Sequence, residues 1–321
     1  MSTELNEQFS PHVISKNPSA DKFRIQKDKE KPEERFPIGK FPYKTLINLG
    51  SRTENCYEKV ALVRKDGGVI LNHPDVIKNA SNKVRCKQFL VDAGLPTPKY
   101  QMFAELKLSA AGVQNFRLAF PCVAKLIYGS GGKGMTVIND IKELATFISS
   151  KKSEELNTYF IEEVFQPDMS KSYEYRVSVS PLLLMKRVDY PPQSNGVSEI
   201  NYKGEIIVLR KLMKQEAVDA GSFGRNIALG NSYFTANFER TFSRKGKSCS
   251  VDKAVSLALD ACMACNLDFG AVDMLWDSES GSWTILEINT APSMGDENAV
   301  LSFSRWKKAF RQMILEKRKE I

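Results

Sequence analysis

The sequence predicts an α+β protein of two or three lobes, on three observations. At 321 residues and 42% hydrophobic content, the chain can bury a substantial core in more than one unit. Alternating apolar runs joined by polar turns recur along it, the clearest being 270–276 and 283–289 on either side of the turn from Asp277 to Ser282. Between such runs lie amphipathic stretches of helical period, at 79–93, 141–149, 251–265 and 300–321.

Residues 1–36 carry seven basic and seven acidic residues without an apolar period, and read as a flexible arm. Residues 37–78 form a short initial domain, in which 45–49, 59–64 and 69–71 read as strands and His73 closes the unit as a structural loop histidine. A first lobe then spans 79–158. Its opening helix, 79–93, places Lys83 near the start and takes Val84, Phe89, Leu90 and Val91 as its apolar positions; Pro96 and Pro98 enforce extended chain through Met102. The next strand, 120–128, sets Val123, Lys125 and Ile127 on one face, and a lysine among such neighbours implies a task.

The second lobe spans 159–321. Its first strand, 159–165, embeds Glu162 and Glu163 among apolar residues, so both acids need donors: an adenine amino group, ribose hydroxyls or nearby lysines. Glu174 to Val179 reads as a strand forming a hairpin with 182–188. Basic residues Arg176, Lys186, Arg187, Arg210 and Lys211 recur through this region. A glycine-punctuated loop at 220–230 contains Arg225 and Asn226, as loops that hold a substrate often do.

The chemistry concentrates in the 270–289 hairpin. Strict alternation puts Trp283, Ile285, Glu287 and Asn289 on one face, and a register with Asp273 opposite Glu287 would converge two carboxylates and a side-chain carbonyl. Hard oxygen donors with only two charges suit a Mg²⁺ ion that also keeps water and phosphate oxygens. A solvated acidic hairpin is the bland alternative.

Net charge is +8, but it is unevenly spread. Residues 171–247 hold thirteen basic and seven acidic residues (+6), 248–299 hold one and nine (−8), and 300–321 hold seven and two (+5). A basic middle beside an acidic hairpin fits phosphate and metal sharing one site better than a uniform nucleic-acid surface; nucleic acid is a secondary reading, resting on the basic C-terminal helix. No run of 18 apolar residues is present and the first ten residues lack the pattern of a secretory signal, so no membrane partner and a cytoplasmic location are expected. The six cysteines are then expected to be reduced, with Cys262 and Cys265 on the apolar face of a helix rather than ligating zinc.

The loop from Gly129 to Gly134, containing Gly131, Gly132 and Lys133, fails as a Walker A motif because Gly134 stands where Ser or Thr is needed. It fails as a dinucleotide fingerprint because a strand follows it. A kinase glycine-rich loop fits better, and Asp268-Phe269-Gly270 supplies a DFG, but both histidines precede the loop and no catalytic HRD exists. What survives is a mobile β-hairpin flap whose backbone N–H groups can close over phosphates.

In order, Lys83, Lys125, the glycine loop, Glu162-Glu163, Glu174-x-Arg176, Arg225-Asn226, Asp273 and Glu287-x-Asn289 resemble the ATP-grasp superfamily, and most closely its RimK-like carboxylate-amine ligases, over about residues 70–300. The resemblance implies an ATP-grasp fold, two α+β lobes sandwiching ATP behind a short preceding domain. It implies that Lys83, Lys125 and the flap residues Gly131, Gly132 and Lys133 contact phosphates. Glu162, Glu163 and the backbone of Val164 would line the adenine pocket, and Glu174 would take the nucleoside. Arg176, Arg225 and Asn226 would serve the transferred phosphate, and Asp273, Glu287 and Asn289 would hold one or two Mg²⁺ or Mn²⁺ ions. In the relatives the loop arginine typically precedes its asparagine by two places; here Gly224 stands there. The implied activity is ATP-dependent amide formation through an acylphosphate, on a small-molecule, amino-acid or peptide substrate. A small-molecule kinase or a non-catalytic nucleotide-dependent binding protein are the alternatives.

Overall fold

The computed structural model describes residues 12–15, 45–109, 112–129, 134–165, 172–181, 206–212, 232–235, 241–244, 247–292 and 303–319. The N-terminal unit comprises β1 (His12–Ser15), β2 (Thr45–Leu49), α1 (Glu54–Lys65) and β3 (Val69–Leu71), with a parallel sheet of order β1-β2-β3. Within the segment read as a flexible arm, His12–Ser15 is therefore a strand of this sheet. The expected strand at 59–64 is instead part of helix α1. Parallel neighbours cannot be joined by a tight turn, and α1 is the crossover that the pairing of β2 with β3 demands. Its buried Cys56, Val60 and Val63 recur at helical spacing, a period disguised by the β-branched residues of Lys59 to Arg64.

Helices α2 (Pro74–Ala80) and α3 (Lys83–Asp92) follow, so the helix expected at 79–93 begins at Lys83. His73 caps α2, its ring accepting from the Asp75 N–H, and Asn82 caps α3 by accepting from the Arg85 N–H. The inward face of α3 is Cys86, Lys87 and Leu90, while Val91 is half exposed. Next come β4 (Tyr100–Met102), the small hairpin β5 (Lys107–Ser109) with β6 (Gly112–Gln114), β7 (Cys122–Leu126), β8 (Thr136–Ile138), α4 (Ile141–Ser149), α5 (Ser153–Leu156) and β9 (Tyr159–Glu163). Strands β4-β9-β7-β8 form one antiparallel sheet over a core that includes Phe103, Leu144, Phe147 and Tyr159. The glycine loop joins β7 to β8 as an antiparallel hairpin; Ser130 to Lys133, and so Gly131, Gly132 and Lys133, lie outside the described residues. Gly134 at its base has φ +73°, a left-handed conformation that favours glycine, and a Cβ there would push the Leu126 side chain aside.

The second lobe contains β10 (Ser172–Val179), β11 (Ile206–Leu212), β12 (Ser232–Thr235), the ribbon β13 (Thr241–Arg244) with β14 (Lys247–Ser250), α6 (Val251–Ala264), β15 (Gly270–Asp277), β16 (Trp283–Asn289) and α7 (Phe303–Lys319). Its main sheet is antiparallel, of order β12-β11-β10-β15-β16. Both edges of β10 are taken by β11 and β15, so the hairpin expected with 182–188 is not its pairing; that run, with Lys186 and Arg187, lies outside the described residues. Cys262 and Cys265 are buried in the core of this lobe, as expected.

The expected register is present: Asp273 pairs with Glu287. The expected strict alternation is not. Met274 pairs with Ile285, which leaves Leu286 as an extra residue on β16, a β-bulge. Its effect is to change phase. Trp283, Ile285 and Ile288 all enter the core beside Val272, Met274 and Trp276, while Glu287 and Asn289 share the opposite face with Asp273. The bulged Ile285 is held from outside the sheet by the linker after α3: its N–H donates to Pro96 O at 2.8 Å and its carbonyl accepts from Thr97 Oγ1 at 2.9 Å.

The DFG tripeptide turns out to be a latch. Buried Asn72 (φ 56°) donates its N–H to Asp268 Oδ2 and its amide to Phe269 O, and its Oδ1 accepts from the Asp268 N–H. Lys317 of α7 lies 2.5 Å from Asp268 Oδ1, and Phe310 meets Phe269 edge-on. Replacing Asn72 by Ala removes its hydrogen bonds to Phe269 O and from the Asp268 N–H and leaves a left-handed φ, so Asn72→Ala is expected to lower unfolding free energy by about 2–4 kcal/mol. Urea denaturation checks this; a change below about 0.5 kcal/mol would show that the latch contributes nothing.

Candidate functional site

The non-core face of the second-lobe sheet carries a row of charges fixed by register. Glu174 and Arg176 of β10, Asp273 of β15, and Glu287 and Asn289 of β16 fall on it, with Arg176 beside Asp273 and Asp273 beside Glu287. Arg176 grips Asp273 with both prongs: Nε donates to Oδ1 at 2.6 Å and Nη2 to Oδ2 at 2.5 Å. Glu174 is buried two residues along. Asn289 Oδ1 accepts from the Ala291 N–H at 3.0 Å, an Asx turn that ends the strand. Lys83 reaches this row as the first residue of α3, a helix whose Cys86 and Leu90 pack in the core beneath the same sheet. Its Nζ lies 3.4 Å from Glu287 Oε2 and donates to Gly129 O at 2.6 Å, at the base of the glycine hairpin.

A second cluster lies under the first-lobe sheet. Glu162 on β9 and Lys125 on β7 form an ion pair through Glu162 Oε1, and Lys87 Nζ lies 2.8 Å from Oε2. Of the donors the sequence allowed for Glu162, nearby lysines are the ones present. Lys87 is only 1% exposed; its Nζ also donates to Thr97 Oγ1 at 3.0 Å, the hydroxyl that bonds Ile285 O. Burial alone would raise the Glu162 pKa, but Lys125 and Lys87 outweigh it and hold the carboxyl at about 2. Burial pulls the Lys87 pKa down, opposed by Glu162.

At the end of β9, Glu163 Oε1 accepts from the Ala119 N–H at 2.9 Å and the Val164 N–H donates to Pro121 O at 3.0 Å. These residues anchor the 119–121 segment against β9, and the Val164 N–H is already committed. Arg225 and Asn226 lie outside the described residues. The structure thus brings Lys83 together with Glu287, Arg176 with Asp273, and Lys125 with Glu162. Lys87 and Thr97 were not singled out from the sequence. The signal for Lys87 was present: at one and three residues from Cys86 and Leu90, it sits on the apolar stripe of α3.

Among the described residues no group of three or more His, Cys, Asp or Glu side chains could hold a metal ion. The donor set at the hairpin is two carboxylates and one amide, with Arg176 and Lys83 supplying the positive charge. That fits a hard cation bound through few protein ligands and completed by water and phosphate oxygens, and not a closed protein cage.

This two-lobed arrangement is the ATP-grasp fold. Structural likeness shows it: D-alanine–D-alanine ligase from Bacillus anthracis superposes with TM-score 0.54 at 16% identity, covering 87% of this chain and 82% of that one. Carboxyaminoimidazole ribonucleotide synthase from Aspergillus clavatus, solved with ATP, gives 0.53 at 13%, covering 94% and 69%. More narrowly, residues 80–171 match the RimK-like ATP-grasp domain. That segment holds Lys83, Lys87, Lys125, the glycine loop and Glu162, whereas Arg176 and the acidic hairpin lie beyond it. In sequence, tetrahydromethanopterin:alpha-L-glutamate ligase of Methanocaldococcus jannaschii is 27% identical over 135 residues, 40% of this chain and 45% of that protein. The chain spans less than half the length of the curated relatives it matches. No described helix is long and apolar enough to cross a membrane.

The Glu162 pKa has a measurable consequence. Its folded value lies below the usual glutamate value of about 4.3, so its pairing stabilises the fold above that pH and is lost as pH falls toward about 2. Thermal stability is expected to drop between about pH 5 and pH 2, and Glu162→Gln to flatten that slope. An identical slope in the variant would show that Glu162 is not held ionised.

Proposed function

We propose that the protein is an ATP-dependent carboxylate-amine ligase that works through an acylphosphate and releases ADP and phosphate. The observation that carries this reading is the double engagement of Lys83, which touches the base of the glycine hairpin at Gly129 and the acidic row at Glu287. One lysine thus links the base of the glycine hairpin to the acidic row, and Lys125 lies on the strand leading into that hairpin. The RimK-like match over residues 80–171 and the ligases among the relatives support the same class.

In this reading ATP lies between the lobes with its phosphates toward Lys83, Lys125 and the flap. A substrate carboxylate oxygen attacks the γ-phosphorus and the bond to the β-γ bridging oxygen breaks, so that ADP leaves. An amine then attacks the acyl carbon, the acyl C–O bond breaks with its electron pair going to phosphate, and the proton lost by nitrogen leaves with the phosphate, giving the amide. Negative charge grows on the phosphoryl oxygens during the first step, and fixed cations aimed at it lower the barrier. In this reading Lys83 and Arg176 take that role; the paired hydrogen bonds to Asp273 orient Arg176, and the bond to Gly129 O orients Lys83, before substrate arrives. A Mg²⁺ held by Asp273, Glu287 and Asn289 would supply Lewis-acid charge at the β- and γ-phosphates. Exclusion of water from the site would protect the acylphosphate from hydrolysis. No protein nucleophile is required, and His73 is used as a helix cap.

The test is to incubate the protein with ATP, Mg²⁺ and a panel of amino acids, peptides and small diacids paired with amines. ADP, phosphate and a new amide in equal amounts are expected. AMP and pyrophosphate would overturn the reading, and a stable phosphorylated product formed without any amine would mark a kinase. Lys83→Met is expected to reduce turnover by about 100-fold or more, the scale of losing one charge-stabilising donor.

A further inference from the structure

One carboxylate needs one cation, yet buried Glu162 has two. Lys125 alone would neutralise it, and Lys125 is the better placed of the pair, with a side chain 16% exposed at the edge of the site. Lys87 adds a second positive charge that is almost wholly removed from water, with a side chain 2% exposed. Burying an extra ammonium is costly, and an apolar side chain on that stripe of α3 would avoid the cost. Packing therefore does not account for Lys87.

We propose that Lys87 is a positioning residue for phosphate binding: it occupies one oxygen of Glu162 so that Lys125, on the other, keeps its charge available to an anionic ligand. The inference rests on the nucleotide reading of the site. Its charge count is simple. Glu162 with Lys125 alone sums to zero, and a carboxylate in contact cancels most of the field that the ammonium presents to a third group. With Lys87 the cluster sums to +1, and only Lys125 reaches the solvent-facing side. Lys87 is prevented from swinging toward the ligand itself. Its ammonium is tied to Thr97 Oγ1, and that hydroxyl is tied in turn to Ile285 O at the bulge of β16. The same ties connect the lysine cluster to the strand that carries Glu287. Glu162 stays ionised through the neutral range, so the arrangement persists wherever ATP is tetra-anionic.

The experiment measures binding of ATP and of adenosine, by calorimetry, to the full chain in three forms: wild type, Lys87→Met and the double variant Lys87→Met/Glu162→Gln. Far-UV circular dichroism verifies that each is folded. Lys87→Met is expected to weaken ATP by about tenfold while adenosine, which lacks phosphates, changes by less than about twofold. The double variant leaves Lys125 beside a neutral amide, returns the cluster to +1, and is expected to recover ATP affinity to within about threefold of wild type. Unchanged ATP affinity in Lys87→Met, equal weakening of ATP and adenosine, or no recovery in the double variant would each overturn the proposal. If Lys87→Met does not fold, Glu162→Gln is compared with the double variant: the single variant, at +2, is expected to bind ATP more tightly, and equal affinities would overturn it. A wild-type protein that binds neither ligand would overturn the nucleotide reading and the inference with it; one that binds both while Lys87→Met shows no selective loss overturns the inference alone.

Discussion

One extra residue on an edge strand sets the geometry of the candidate site. A regular β16 would have put Ile285 on the same face as Glu287, so either an isoleucine would have left the core or a carboxylate would have entered it. The bulge at Leu286 removes that conflict: Ile285 and Ile288 both pack inward while Glu287 and Asn289 both face Asp273. Bulges leave a strand locally short of ladder partners. Here the 96–97 linker supplies them, through Pro96 O and Thr97 Oγ1, and so covers the exposed edge of the second-lobe sheet.

Among the described residues, Lys83, Lys87, Lys125 and Arg176 each face a carboxylate, but the partners are shared unequally. Asp273 is gripped by Arg176 and almost wholly buried, which fixes the guanidinium. Glu287 is more exposed and faces Lys83 at 3.4 Å, a looser contact that a metal ion can replace. Glu162 is the reverse case, one acid for two lysines. The acidic row thus has a carboxylate to offer a cation, and the lysine cluster has positive charge to offer an anion. Lys83 contacts both Glu287 and Gly129, at the base of the glycine hairpin. A Mg²⁺-nucleotide, cationic at one end of its triphosphate site and anionic along it, matches that division.

Much of this was legible in the sequence, and the misses have physical causes. That Asp273 and Glu287 share one hairpin could be read from the polar turn at Asp277 to Ser282, but their pairing was an assumed register: the turn sets Trp276 opposite Trp283, which without a bulge continues to Asp273 opposite Leu286. The bulge could not be read: Leu286 is an ordinary strand residue, and the extra position is forced by packing Ile285 and Ile288 on the same side. The helix over Lys59 to Arg64 was hidden because valines satisfy a strand and a buried helical stripe alike, and only the parallel pairing of β2 with β3 distinguishes them. Lys87 was overlooked for a related reason. A lysine on a helix reads as solvated by default, and its two partners lie 10 and 75 residues away.

The central claim is that the bulged strand presents a divalent-cation site completed by nucleotide. Electron paramagnetic resonance of Mn²⁺, titrated into the protein with a non-hydrolysable ATP analogue, measures this directly. Wild type is expected to bind Mn²⁺ weakly alone and much more tightly with the analogue, and Glu287→Gln and Asn289→Ala each to weaken that ternary binding by about tenfold or more. Mn²⁺ affinity that is unaffected by either substitution would contradict the account.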